Sequence, residues 1–397
     1  MCASSPSSSS RRSAAEGVKP PLRIESVEAI PAGGACYVRV VADDGSSGVG
    51  ESTFFGWPTA VAEIVRSFEP YLKGRDALAV EDHWLALYRA LSFRGMAVTS
   101  AIGAVDQALW DIRGKYFGVP VWQLLGGAAR RSVRAIRVVD TGTLDQVVAA
   151  ARHAVDVEGY TALKILLFQQ DHHVMRQAAR IGDLVARFAA VRETVGWQID
   201  LGVELHRNMN AGDALMLSDE IARLRPLFVE DPIPPDSVAA LRAFAARARV
   251  PVAAGERTTT IWEFAEYLER PGVAYIKPDV GIAGGITHVR KICALAEAFH
   301  AGVLPHAVPS GPVAVAAHVQ LGMSVPNWEL QEHVPQNEPR WTDLVDQVVE
   351  VRDGYLIAPD RPGLGIALDV AGLARHPPLI ADASNTPRGE DGSVSIR

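Results

Sequence analysis

Between Leu22 and Thr53 the apolar residues fall in short extended runs. Tyr37, Val38, Arg39, Val40 and Val41 lead into Asp43-Asp44-Gly45, a turn signal, and Val49-Gly50-Glu51 resumes the extended pattern. This predicts an antiparallel meander. Three helices are expected next, over Thr59 to Leu72, Val80 to Leu91 and Ser100 to Tyr116. In the third, Ile102, Val105, Ala108, Leu109 and Ile112 recur at helical spacing, and Gly118 and Pro120 end it. Residues 22–130 therefore read as one α+β domain.

After Gly127 short β-branched runs alternate with longer amphipathic ones. Eight strands are expected: Val133–Val139, Ala162–Leu167, Gln198–Glu204, Leu227–Glu230, Val250–Ala254, Val273–Lys277, Val303–Pro305 and Trp328–Gln331. Each consecutive pair is separated by a segment that suits one helix, such as Ala211–Leu224 and Val238–Ala248. Eight such alternations predict an α/β fold, a (β/α) TIM-type barrel over residues 131–350. An open doubly wound sheet usually has fewer strands and a Gly-rich phosphate loop after the first, and no such loop is present. Residues 351–380 are expected to return to the first domain. The polar ends, 1–21 and 381–397, read as a disordered tail and a flexible tail. The Ser-rich start, with Arg11 and Arg12, lacks the apolar run of a secretory signal.

A barrel of this kind carries its chemistry at the C-terminal ends of its strands. Read there, strand three ends in Glu204 and His206, strand four in Glu230-Asp231 and strand five in Glu256-Arg257. Strand six ends in Asp279, strand seven in His306 and strand eight in Glu332-His333. Alternation along strand three turns Asp200, Gly202, Glu204 and His206 toward the barrel axis. Lys164 and Lys277 are inward by the same rule, either to touch substrate or to pair with Asp200. Glu204, Glu230 and Glu256 stand at equal separations of 26 residues (204 to 230, 230 to 256), one β–α unit each. They should sit at equal height on adjacent strands. Three carboxylates in contact repel unless a cation neutralises them, and all-oxygen ligation suits Mg²⁺. Of the histidines, His206 and His306 end strands, and Asp279 beside His306 would fix its tautomer and raise its basicity. His153, His172, His173, His288, His318 and His376 read as surface or core residues.

Composition narrows the partners. The 397 residues suit two domains, or a barrel with an addition. The net charge of −7 gives no overall attraction to nucleic acid or anionic lipid, so a small anionic substrate needs a local cation. Cys2, Cys36 and Cys293 are too few and too scattered for a disulfide framework, which fits a reducing, cytoplasmic setting, and Cys293 reads as core. No stretch approaches the ~20 apolar residues that span a membrane.

Further motifs carry a family resemblance. They are the run from Ser100 through Asp106-Gln107-Ala108-Leu109-Trp110-Asp111 to Lys115, then Pro120 to Gly127, and Lys277-Pro278-Asp279 with Gly284-Gly285-Ile286-Thr287. With the carboxylate spacing they resemble the mandelate racemase subgroup of the enolase superfamily, over about residues 22–375. Gly202-Val203-Glu204-Leu205-His206, Pro305-His306 with Gly311-Pro312, and Leu330-Gln331-Glu332 are most similar to the galactonate dehydratase-like sugar acid dehydratases. The resemblance implies a capping lid over the barrel and Mg²⁺ on Glu204, Glu230 and Glu256. It implies His306 with Asp279 as general base, His206 as general acid, Glu332 donating or accepting at the substrate carboxylate, and a homo-oligomer. The lid loops with Phe54, Phe55 and Trp57, and with Phe93-Arg94-Gly95, would cover the mouth, or their aromatics would pack the domain interface. Lys164, Arg94, Phe55, Trp57, Arg257 and Trp328 are the candidate substrate contacts. The implied reaction takes an aldonate such as galactonate, gluconate or mannonate to a 2-keto-3-deoxy acid by α-proton abstraction through an enediolate. Two departures stand out. Glu204 replaces the family's aspartate, and Lys164-Ile165-Leu166 lacks the second lysine of a Lys-x-Lys motif. The alternatives are a racemase or epimerase with His206 as second base, and an impaired barrel that only binds a sugar acid.

Overall fold

The computed structural model describes residues 21–90, 93–382, 386 and 388–394. The expected tail up to residue 20 lies outside the described residues, as do Leu91 and part of the expected C-terminal tail. Strands β1 (Ile24–Ala32), β2 (Ala35–Ala42) and β3 (Ser47–Ser52) form the antiparallel meander. Helices α1 (Pro58–Leu72), α2 (Val80–Ala90) and α3 (Met96–Phe117) follow. Helix α3 lies directly on β3 because Gly48 and Gly50 carry no side chain there. A Cβ on either would overlap the carbonyl oxygens of Ala108 and Ala104. The short α4 (Val121–Leu124) leads out of this layer.

The barrel alternates β4 (Val133–Val139), α5 (Leu144–Asp156), β5 (Ala162–Leu166), α6 (Gln177–Val195), β6 (Asp200–Glu204) and α7 (Ala211–Ile221). It continues with β7 (Phe228–Glu230), α8 (Val238–Ala245), β8 (Val252–Ala254), α9 (Ile261–Leu268), β9 (Tyr275–Ile276) and α10 (Gly285–Ala298). It ends with β10 (Gly302–Val303), α11 (Pro312–Ser324) and β11 (Gln331–His333). Neighbours from β4 to β10 pair in parallel. The ring is completed through residues 327–329. Val303 N–H donates to the Asn327 carbonyl (2.8 Å) and Glu329 N–H to the Val303 carbonyl (2.9 Å), while β11 runs parallel to β4. The eighth strand thus begins its pairing at Trp328, as a single bridge, and is regular only from Gln331. Ile136, Ala162, Phe228, Ala253, Leu304 and Leu330, one from nearly every strand or its flank, form a separate apolar cluster that fills the barrel interior. Gly202 is required beside Phe228, whose ring occupies the space of a Cβ.

The segment expected to return to the first domain begins differently. Strands β12 (Glu350–Arg352) and β13 (Tyr355–Ile357) form a hairpin antiparallel to the start of β4, at the closed end of the barrel. Only afterwards does the chain reach the first domain. Leu364 N–H meets Asp111 of α3, and Gly33 exchanges backbone hydrogen bonds with His376 (3.1 Å) and Leu379 (2.7 Å). Among the described residues no helix is long and apolar enough to cross a membrane.

Candidate active site

The C-terminal ends of β6, β7 and β8 bring Glu204, Glu230 and Glu256 together, each offering one oxygen within 4.8 Å of the others. Register explains the first pair, since Glu204 and Glu230 are direct partners across β6 and β7. Glu256 arrives one step later, after Gly255 turns at φ +117, a conformation that favours glycine. Lys164 of β5 lies beneath them. Its Nζ is 3.0 Å from Glu204 Oε2 and 2.9 Å from Glu230 Oε1, and it also meets Glu332 Oε1. Lys277 Nζ reaches Glu230 (2.9 Å) and Glu332 (2.5 Å). The expected pairing of Lys277 with Asp200 does not occur. Asp200 sits at the opposite end of the strand, paired with Arg134 at 2.8 Å.

These charges set one another's protonation. Burial raises the Glu204 pKa well above the carboxylate range, and Glu230 beside it adds to the effect. Burial opposes the charge on Lys164, but Glu230, Glu332 and Glu204 outweigh it and hold the ammonium charged. For Glu332, Lys164 and Lys277 overcome burial and hold the carboxyl ionised. Its Oε1 takes both lysines and its Oε2 accepts from Ala307 N–H (2.9 Å), so of the expected role, donating or accepting, the donating form does not fit it. Glu332 anchors the residue after His306 instead.

His306 donates from Nδ1 to Asp279 Oδ2 at 2.8 Å, and its Nε2 stands 3.9 Å from Glu256 Oε2. Burial disfavours the charged ring, yet Glu256 and Asp279 raise its pKa to about 9. Asp279 is fully buried; despite that burial its bonded partners, His306 first, hold it ionised. The carboxylate is fixed on its other side by Thr53 Oγ1 (2.8 Å) and Gly281 N–H (2.7 Å).

His206 departs from the alternation argument. Strand β6 ends at Glu204, and His206 and Arg207 take positive φ values of 52° and 67°. The rule for facing directions holds only while the chain is extended. His206 therefore sits exposed at the mouth, its N–H bonded to Glu204 Oε1 (2.7 Å). Partial burial and then the charge of Arg207 lower its pKa to about 4. Arg207 takes the inward place instead. It is buried and pairs with Asp231 Oδ2 (3.0 Å) and with Glu256 Oε1.

The candidate substrate contacts divide. Lys164 is in the cluster, and Arg257 is at its edge, half exposed with Nε 3.9 Å from Glu256. Phe55 and Trp57 are 55% and 52% exposed, too open to be interface packing. Phe55 borders a cavity of about 270 Å³ with Pro309 and Gly311, from the loop that follows His306. Arg94 lies over the Tyr88 ring at 4.2 Å and bonds the Tyr88 carbonyl, beside Trp84, Trp262 and His288 rather than the carboxylates. Trp328 is not a substrate contact. It is buried against Gly322 and His318 of α11, in the layer between barrel and helices.

Several site residues escape sequence reasoning. Arg207 was hidden by assumed strand parity, and Thr53 by its position in the other domain. His318, read as a surface or core residue, is buried 3.8 Å from Asp279 Oδ1, its Nε2 accepting from Val280 N–H (3.3 Å). Glu51 at the end of β3 accepts from Gly311 and Ala314 N–H (2.6 and 3.0 Å), capping α11 from the first domain. The acidic triad fits a metal on two counts: three oxygens converge, and Glu230 Oε2 is buried with no hydrogen-bond partner.

Residues 14–126 match the model of the mandelate racemase / muconate lactonizing enzyme N-terminal domain, and residues 146–372 match the enolase C-terminal domain-like model. The chain is 35% identical over 367 residues to a D-galactonate dehydratase of Verminephrobacter eiseniae, covering 90% of this chain and 95% of that one. It is 34% identical over 373 residues to a D-galactonate dehydratase of Xanthomonas campestris pv. campestris, with the same coverage. Among solved structures, an enolase from Agrobacterium radiobacter bound to Na and L-malate superposes with a TM-score of 0.89 at 27% identity, covering 94% of this chain and all (100%) of that one. A member of the enolase superfamily from Salmonella Typhimurium gives 0.83 at 26% identity, covering 90% and 98%.

Proposed function

We propose from the family to which this chain belongs, the mandelate racemase / muconate lactonizing enzyme family of the enolase superfamily, that it is a hydro-lyase which removes water from a sugar acid. The D-galactonate dehydratase relatives support an aldonate substrate and a 2-keto-3-deoxy acid product. The observation that carries the reading is the His306–Asp279 pair, 2.8 Å apart, with the free ring nitrogen turned toward the carboxylate triad.

Asp279 accepts the Nδ1 proton, and Mg²⁺ on the triad would offset the Glu256 charge that raises the ring's pKa to about 9, so that Nε2 of the neutral ring presents the lone pair that removes the α-proton. Glu204, Glu230 and Glu256 would hold Mg²⁺, which when bound supplies positive charge that stabilises the charge developing at the substrate carboxylate. Arg207 fixes Glu256, and Lys164 fixes Glu204 and Glu230, so the triad is assembled before substrate arrives. His206 at the mouth is the acid that delivers a proton to the departing β-hydroxyl. An anionic substrate beside it would raise the pKa that burial and then Arg207 depress. Arg257 at the rim gives the local cation that a small anion needs on a chain of net charge −7. The enol left after water departs ketonises to the keto acid.

The test is a panel of aldonates, galactonate, gluconate and mannonate among them, incubated with Mg²⁺ and analysed for 2-keto-3-deoxy acid. Product from at least one supports the reading. An inverted hydroxy acid in place of a keto acid would replace it with epimerisation.

A further inference from the structure

The β9–α10 loop that carries Asp279 is penetrated by a residue of the capping domain. Thr53 lies just past β3 and is buried, yet its Oγ1 is 2.8 Å from Asp279 Oδ1. Its own N–H bonds the Gly281 carbonyl at 3.3 Å. The approach is close enough to require glycine at 281. A Cβ there would stand 2.5 Å from Thr53 Oγ1, 2.7 Å from its N and 2.8 Å from its Cγ2.

The geometry points to Thr53 as a positioning residue for the base, reaching from the lid domain to orient the carboxylate that orients His306. Asp279 Oδ1 takes the Thr53 hydroxyl and the Gly281 N–H, and among the described residues Oδ2 takes only His306 Nδ1. His318 Nε2 stands farther off, 3.8 Å from Oδ1, and is 3.3 Å from Val280 N. The carboxylate plane is thus held by two fixed donors on one oxygen, which leaves the second to set the ring's tautomer and direction. One donor is barrel backbone and the other a side chain of the separate domain. The base is therefore complete only when the lid is seated. The role in catalysis rests on His306 being the base.

The closing experiment compares T53V, which keeps the shape and removes the hydroxyl, with T53S, which keeps the hydroxyl. Two readouts are used on the full chain in Mg²⁺ buffer. The first is the downfield proton resonance of the His306 Nδ1–H in ¹⁵N-histidine-labelled protein, assigned as the signal lost in H306N. T53V should move this resonance and speed its exchange with solvent, and T53S should restore it. An unmoved signal in T53V, or a T53S signal displaced like that of T53V, overturns the proposal. The second is turnover of the aldonate found active. T53V should lose about tenfold to a hundredfold in kcat with KM little changed, the range for losing a hydrogen bond to a charged group, and T53S should recover most of it. If no aldonate turns over in the wild-type chain, the proposed function fails, while the resonance still decides the role of Thr53.

Discussion

Replacing Lys164 by methionine tests how the acidic cluster is held. The ammonium meets Glu204, Glu230 and Glu332 and is almost fully buried, as are all three partners. At 3 Å and an effective dielectric constant near 20, each contact with an ionised carboxylate is worth about 5 kcal/mol of attraction, before the desolvation of both partners is subtracted. Removing one member of such a network typically costs about 3–5 kcal/mol, because the remaining charges stay buried without a counterion. K164M leaves Glu204, Glu230, Glu256, Glu332 and Asp231 against Lys277 and Arg207, with His306 and Arg257 only at the Glu256 edge. The variant has two ways to relieve this: to take up a proton, which lower pH favours, or to bind a divalent cation.

The expected outcome is therefore conditional. In EDTA at pH 8, urea or thermal denaturation should show K164M destabilised by about 3–5 kcal/mol. Most of the loss should return on adding Mg²⁺, and part of it at pH 5. A K164M protein as stable as wild type in EDTA would mean that the lysine does not neutralise the cluster. A loss that neither Mg²⁺ nor acid repairs would mean that Lys164 acts by packing rather than by charge.

H306N should abolish exchange of the α-proton in D₂O, followed by NMR, and exchange that persists would point to another base. Asp106, buried beside the start of α10, has its pKa raised to about 7, chiefly by burial, against an ordinary 3.8. Its folded pKa lies above the unfolded one, so its stabilising contribution is complete below about pH 4 and is lost as pH rises through 7. The loss is about 4 kcal/mol, and D106N should flatten that slope in denaturation measured from pH 4 to 8. G50A should destabilise the meander by more than about 3 kcal/mol, since β3 and α3 would have to separate; a change in melting within a degree would refute that packing argument. R207M should weaken Mg²⁺ binding measured by calorimetry about tenfold or more by freeing Glu256, and unchanged affinity would remove Arg207 from the triad's support.

The meander, the helices and the eight alternations were legible because each rests on local periodicity. Val133–Val139 is the full observed β4. The second to sixth barrel strands were read one to three residues too long, and the seventh and eighth were shifted, because apolar runs mark buried chain whereas regular pairing covers only part of it, down to two residues in β9 and β10. The triad was legible from spacing, since one β–α unit per carboxylate is a property of the repeat. What failed was the extension of strand parity past the strand end. At His206 and Arg207 the backbone turns left-handed, the arginine goes in and the histidine stays at the surface. Trp328 was misplaced for a related reason: its neighbourhood pairs by a single bridge, and its ring faces α11.

Contacts between distant parts of the chain were not legible, and they bear on both ends of the site. Thr53 and Asp279 are 226 residues apart, and Glu51 and Gly311 are 260 apart. Both lid residues close β3, whose two glycines let α3 press the strand down from behind. Glu51 fixes the loop that follows His306 by holding the N–H groups at the start of α11, and Thr53 fixes the aspartate on which His306 rests. Glu332 fixes the same loop from the barrel side, through Ala307 N–H. The imidazole is thus clamped from two domains, with its charge partners inside the barrel and two of its orienting contacts outside it. A barrel without its lid would keep the carboxylates and lysines but leave His306, the proposed base, free to turn. This gives the capping domain a part in the chemistry that is separate from closing over a substrate.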